Sequence, residues 1–170
     1  MSHRCVFIDR DGVINVKQPD GQYVCRWDQF QWIESVVDWI RLFNTLGYLV
    51  IVVTNQRCVA KGLVSESELD NIHDCMTREL AAKGAKIDDV MVCPHEVDAC
   101  DCRKPLPGMI HRAREKWDID LTQSIMIGDS ESDRQLAANC ELSFVGVRDG
   151  KINDIQTEFD DQHKDTHVPR

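Results

Sequence analysis

The sequence has no long apolar run. Its hydrophobic strings, Tyr48–Val53 among them, stop far short of the roughly 18 residues that a membrane span needs. No signal-peptide core stands ahead of the charged Arg4 and Asp9, so a cytoplasmic protein with no membrane partner is expected. Positive charge is scarce: 20 Lys and Arg against 29 Asp and Glu leave a net charge of -9. That balance argues against nucleic-acid binding, which needs a basic footprint and, for single strands, aromatic platforms. It leaves room for a phosphorylated ligand, because a local cationic pocket or a metal ion can invert the field at one site. Internal repeats and low-complexity linkers are also absent, and a monomer is the expectation.

What is present suits a globular protein. A chain of 170 residues can bury a core without disulfide staples, and 42% hydrophobic with 29% charged residues is ordinary. Short apolar runs at Cys5–Ile8, Leu49–Val53, Val90–Cys93, Ser124–Ile127 and Ser143–Val147 alternate with amphipathic stretches. Unbroken β-rich runs are the mark of central strands covered on both faces. Helices are expected after Ser35 (Val36, Val37, Ile40, Phe43 and Leu46, stopped by Gly47), after the capping-box pair Ser65 and Glu68, from Pro107 to about Trp117, and over Glu131–Asn139. The fold class is therefore α/β, a Rossmann-like three-layer sandwich with a central parallel sheet. One domain over 1–150 and a polar tail over 151–170 are expected.

In open α/β sheets ligands bind at the carboxyl ends of the strands. There the first run leads into Asp9-Arg10-Asp11-Gly12. Two carboxylates at this spacing can divide labour: Asp9 as nucleophile toward phosphorus, Asp11 as proton donor and then base. Alone, the pattern reads equally as turn chemistry. Further down the chain come Thr54-Asn55-Gln56, Arg103-Lys104-Pro105, and Gly128-Asp129-Ser130 followed by Asp133. The ordered set resembles the motifs of haloacid dehalogenase-type phosphatases. The resemblance implies that Thr54 cradles the phosphoryl oxygens, Lys104 neutralises charge, and Asp9, Asp129 and the backbone carbonyl of Asp11 hold Mg²⁺. Asp133 would accept hydrogen bonds from metal-bound water or Lys104, or simply favour a helix N-terminus.

Eight cysteines are unevenly placed: Cys93, Cys100 and Cys102 cluster with His95. Three thiolates and an imidazole suit a closed, structural Zn²⁺ site. Cys-Pro-His followed by Cys-x-Cys-Arg-Lys-Pro resembles the branch that holds the heptose bisphosphate and histidinol-phosphate phosphatases, in which a zinc loop replaces a large cap domain. The continuation Leu106-Pro107-Gly108-Met109 resembles the heptose enzymes, which implies removal of the 7-phosphate of a heptose 1,7-bisphosphate for surface-polysaccharide synthesis. Histidinol phosphate is the alternative substrate, and a nucleic-acid 3′-phosphatase a further one. The small phosphorylated sugar would meet Asp20, Gly21 and Tyr23 of an early loop, Thr54, Asn55 and Gln56, and Arg103 and Lys104. The family usually has Ser-Gly after Thr-Asn-Gln; here Arg57 and Cys58 stand instead, with Arg57 a further phosphate or sugar contact or a solvent-facing residue.

Overall fold

The computed structural model describes residues 2–152. Five parallel strands form the sheet: β1 (Cys5–Ile8), β2 (Leu49–Asn55), β3 (Asp89–Cys93), β4 (Ile125–Gly128) and β5 (Ser143–Arg148). A short β6 (Lys151–Ile152) pairs antiparallel with β5, giving the order β3-β2-β1-β4-β5-β6. The helices are α1 (Val36–Thr45), α2 (Glu66–Ala82), α3 (Gly108–Trp117) and α4 (Glu131–Asn139).

Alternation along the strands divides the interior into two cores. Val6 and Ile8 of β1, Val50 and Val52 of β2, and Ile125 and Ile127 of β4 face α1 and α2, where Val36, Ile40, Phe43, Ile72, Met76 and Leu80 meet them. Cys5, Phe7, Ile51, Val53 and Met126 face the opposite way, onto Met109, Ile110 and Ala113 of α3 and Leu136 and Ala137 of α4. All four residues of β1 are fully buried, as a strand covered on both faces requires. This is the expected three-layer sandwich.

Local differences have local causes. Ser35 does not cap α1; it has helical backbone angles and its hydroxyl donates to the Gly150 carbonyl (3.0 Å), tying α1 to the turn before β6. Ser65 does cap α2 in a reciprocal box with Glu68. β4 begins one residue later than the apolar run, because Ser124 is spent in a turn, donating to the Asp120 carbonyl (2.6 Å) and accepting from the Cys5 amide (3.0 Å). β6 was not expected; it lies at the start of the segment read as a tail, whose remainder, 153–170, is outside the described residues. Among the described residues no helix is long and apolar enough to cross a membrane.

Candidate active site

Strand order reverses around β1, so the carboxyl ends of β1, β2 and β4 open onto one crevice. Asp9 follows β1, its amide bonded to the Ile127 carbonyl of β4 (3.0 Å). Lys104 enters from the loop before α3, almost completely buried. Its ammonium donates to Asp9 Oδ1 (2.8 Å), Asp133 Oδ1 (2.7 Å) and the Val53 carbonyl (3.0 Å), which uses all three of its donors. Burial works to lower the Lys104 pKa, but the two carboxylates outweigh it and hold the group charged. One cation cannot satisfy two buried anions. Burial, opposed by Lys104 and reinforced by Asp133 and Asp11, accordingly pushes the Asp9 carboxyl up to about 7.

Asp133 fills both roles considered for it. Oδ1 holds Lys104, while Oδ2 accepts from the Ser130 amide (3.2 Å) and hydroxyl (2.6 Å) in the box that starts α4. Asp9, Asp129 and Asp133 each place an oxygen within 4.8 Å of the others. Asp129 Oδ1 is buried with no hydrogen-bond partner, and Oδ2 meets the Lys17 ammonium (3.1 Å). An orphaned buried carboxylate oxygen beside Asp9 is what a hard divalent cation fits. The approach needs glycine: at Gly12 (φ +92°) a Cβ would lie 2.3 Å from Asp129 Oδ2. Gly128 does the same for Asp133, where a Cβ would lie 2.3 Å from the Asp133 Cβ.

The Asp11 carboxylate is not part of this group. Oδ1 accepts from Arg10 Nη2 (2.9 Å) and Asn15 Nδ2 (2.9 Å), and Oδ2 from Arg10 Nη2 (3.0 Å) and Gln56 Nε2 (2.8 Å). Burial works to raise its pKa, but the Arg10 charge and the bonds from Asn15, Arg10 and Gln56 outweigh it and hold the carboxyl below its ordinary value.

Behind the crevice, Cys93 ends β3 and Cys102 adjoins Arg103 and Lys104. Cys93 Sγ lies 3.5 Å from Cys100 Sγ and 3.7 Å from His95 Nδ1, which is 3.2 Å from Cys102 Sγ. Tetrahedral ligands ~2.3 Å from a common centre stand roughly 3.8 Å apart, so this cluster is sized for one ion. Next to it Asn55 and Lys104 exchange two bonds: the Lys104 amide donates to Asn55 Oδ1 (3.0 Å), and Asn55 Nδ2 donates to the Lys104 carbonyl (3.2 Å).

Known proteins resemble both the sequence and the fold. The HAD-hydrolase-like family model matches residues 101–170. A D-glycero-alpha-D-manno-heptose-1,7-bisphosphate 7-phosphatase of Campylobacter jejuni is 37% identical over 85% of this chain and 82% of its own length. The corresponding beta-anomer phosphatase of Rhodopseudomonas palustris is 42% identical over 77% of this chain and 76% of its own. The chain belongs to the haloacid dehalogenase superfamily of phosphatases. Among solved structures, the D,D-heptose 1,7-bisphosphate phosphatase of B. bronchiseptica, complexed with magnesium and phosphate, superposes with a TM-score of 0.77. It is 35% identical and covers 83% of this phosphatase and 78% of its own chain.

The phosphatase gathers most, not all, of the expected site residues. A crevice of about 320 Å³ is lined by Asp9, Asp11, Asp20, Gly21, Tyr23, Asn55, Arg103 and Lys104. Arg103 Nη1 is buried without a partner there. Thr54 and Gln56 lie beneath, almost fully buried, with Gln56 Nε2 donating to Thr54 Oγ1 (2.9 Å) as well as to Asp11. Gln56 thus braces the carboxylate and does not line the crevice. The thiol of Cys58, buried at the position where glycine was expected, donates to Gln56 Oε1 (3.5 Å) and orients that amide. Arg57 does not reach the crevice; it is ion-paired with Glu96 on the cysteine–histidine loop. Sequence reasoning missed Arg10, Asn15, Lys17 and His73. Lys17 borders both the crevice and a shallower depression of about 820 Å³ that includes Trp32, Arg148 and Gly150.

Proposed function

We propose that this phosphatase removes the 7-phosphate of D-glycero-D-manno-heptose 1,7-bisphosphate through an aspartyl-phosphate on Asp9. The observation that carries the chemistry is the Asp9–Lys104–Asp133 chain lying beside the unpaired Asp129 Oδ1. Asp9, Asp129 and the Asp11 carbonyl would hold Mg²⁺, supported by the magnesium and phosphate in the B. bronchiseptica relative. Bound there, the ion supplies charge neutralisation for the phosphoryl oxygens and keeps Asp9 ionised.

Asp9 Oδ1 is held by Lys104 and by the Arg10 amide (2.7 Å), so that carboxylate is fixed before substrate arrives. Attack by Asp9 on phosphorus forms the acyl phosphate as the bond from phosphorus to the sugar oxygen breaks. Asp11, ionised in the free enzyme, takes up a proton as the phosphate binds and gives it to that departing oxygen. Asp11 then takes a proton from the water that hydrolyses the intermediate. Lys104 neutralises charge throughout. Arg103, at the crevice wall with its Nη1 buried and unpartnered, suits the second phosphate of a bisphosphate. Asp20, Gly21 and Tyr23 cover the sugar in place of a cap. Zn²⁺ on Cys93, His95, Cys100 and Cys102 would hold the loop that delivers Arg103 and Lys104.

Phosphate release from heptose 1,7-bisphosphate and from histidinol phosphate, measured in parallel with Mg²⁺ and then with a chelator, tests this reading. A higher kcat/KM for the heptose, abolished by chelation, is expected; a clear preference for histidinol phosphate overturns the substrate assignment.

A further inference from the structure

We propose that Arg10 and His73 are positioning residues for the acid–base step, a buried guanidinium anchored on α2 that sets the orientation of Asp11. The proposal rests on the role given to Asp11 above.

Among the described residues Arg10 is the largest fully buried side chain, with 0% exposure. A guanidinium is charged at any accessible pH, and burying one is costly unless it is paired. Its partners are specific. Nε lies 3.3 Å from Asp11 Oδ1, and Nη2 lies 2.9 and 3.0 Å from the two carboxylate oxygens. Such a fork fixes the plane of the carboxylate as well as its distance. The remaining terminal nitrogen, Nη1, stands 3.0 Å from His73 Nε2 in the middle of α2. Arginine has donors only, so Nε2 must accept and the imidazole must be neutral with its proton on Nδ1. The environment enforces this: burial, with the Arg10 charge adding, drives the His73 pKa down to about 3.

The geometry separates this pair from the substrate. The Asp11 side chain is 26% exposed and lines the crevice, whereas Arg10 sits behind it at 0% and does not line the crevice. Arg10 can therefore act on the reaction only through Asp11. As an ion pair it is weak evidence for stability, since well-packed apolar residues commonly replace buried pairs at no loss. As a fork held from both ends it selects one orientation of a carboxylate that must face first a leaving oxygen and then a water.

Leaving-group dependence tests this. kcat/KM covers steps only up to release of the leaving group, so hydrolysis of the acyl phosphate does not enter it. An alkoxide leaving group needs a proton; p-nitrophenolate does not. Two substrates are compared: the sugar or histidinol phosphate that the wild-type enzyme prefers, and p-nitrophenyl phosphate. Arg10→Gln is expected to lower kcat/KM for the alkyl phosphate about 30-fold and for the aryl phosphate no more than about threefold, the first being part of the roughly 100- to 10,000-fold that a general acid supplies. Arg10→Lys, which keeps the charge and loses the fork, should show the same pattern. If Arg10→Gln does not fold, His73 carries the test: His73→Leu should show the pattern at about fivefold, and His73→Gln, which retains an acceptor, should restore it. Asp11→Asn is the reference and should show the largest split. Equal losses on both substrates in the Arg10 and His73 variants, or no loss on either, overturn the positioning role while Asp11→Asn still splits them. If Asp11→Asn itself loses equally on both, the acid–base reading of Asp11 fails, and the proposal with it.

Discussion

Replacing His73 by Gln should remove most of one component of this protein's acid sensitivity. His73 is neutral in the fold, with its pKa down at about 3 against 6.5 for the free side chain. Between those values the unfolded chain binds a proton that the folded chain refuses, so stability is present above pH 6.5 and is lost as pH falls. Integrating the two titrations gives a loss of about 2 kcal/mol between pH 7.5 and 5, and a ceiling of about 5 kcal/mol below pH 3. Against a typical total of about 5–15 kcal/mol this is a large share. The wild type alone will not display it. Asp9, raised to about 7, binds its proton more tightly when folded and so gains stability over the same window. The two contributions oppose, and the difference between wild type and His73→Gln isolates one of them. Urea unfolding of both proteins at intervals from pH 7.5 to 5 measures it. The advantage of the wild type should shrink by about 2 kcal/mol on acidification. A difference that stays constant within about 0.5 kcal/mol, or one that grows, refutes the assignment of a neutral, buried His73.

Three further outcomes are expected. Lys104→Met should cost about 3–5 kcal/mol in denaturant unfolding and abolish turnover, because it leaves the Asp9 and Asp133 carboxylates facing each other; a cost under about 1 kcal/mol contradicts the shared-cation geometry. Gly12→Ala should eliminate Mg²⁺-dependent activity while leaving the fold intact by circular dichroism, since its Cβ would occupy space 2.3 Å from Asp129 Oδ2; near-normal activity would show that Asp129 need not stand there. Metal analysis should find one Zn²⁺ per chain in the wild type and in Asp9→Asn, which should be inactive, and much less in Cys100→Ser, whose kcat should fall with the loss of order around Lys104.

The elements that place the site were legible because their signals are local. Strands β1, β2 and β4 are apolar runs buried on both faces, β3 and β5 are half-buried apolar runs beside them, and α2 carries its own capping box. The carboxylates of the candidate site were legible from order along the chain. What escaped detection depends on distant partners. Arg10 looks like any polar residue of a turn; only the fold brings it to His73, 63 positions away, where its charge is buried and matched. Lys17 meets Asp129 across 112 positions. Arg57 was considered for the substrate because it follows the Thr-Asn-Gln motif, but Glu96 on the facing loop claims it. β6 is too short to show a period and exists because the turn at Gly150 folds it back on β5.

The two bonds between Asn55 and the Lys104 backbone have a wider implication. A side-chain amide has the same donor and acceptor as a peptide group, so Asn55 supplies one extra rung at the end of β2, and the chain around Lys104 is registered on that rung. The cation's position is thereby referenced to the sheet and not to the length of the cysteine–histidine loop that leads to it. Residues could be added to or removed from that loop between His95 and Cys100 with the change absorbed upstream of the rung. The length of that loop and the placing of the Lys104 cation beside Asp9 are thus separate variables.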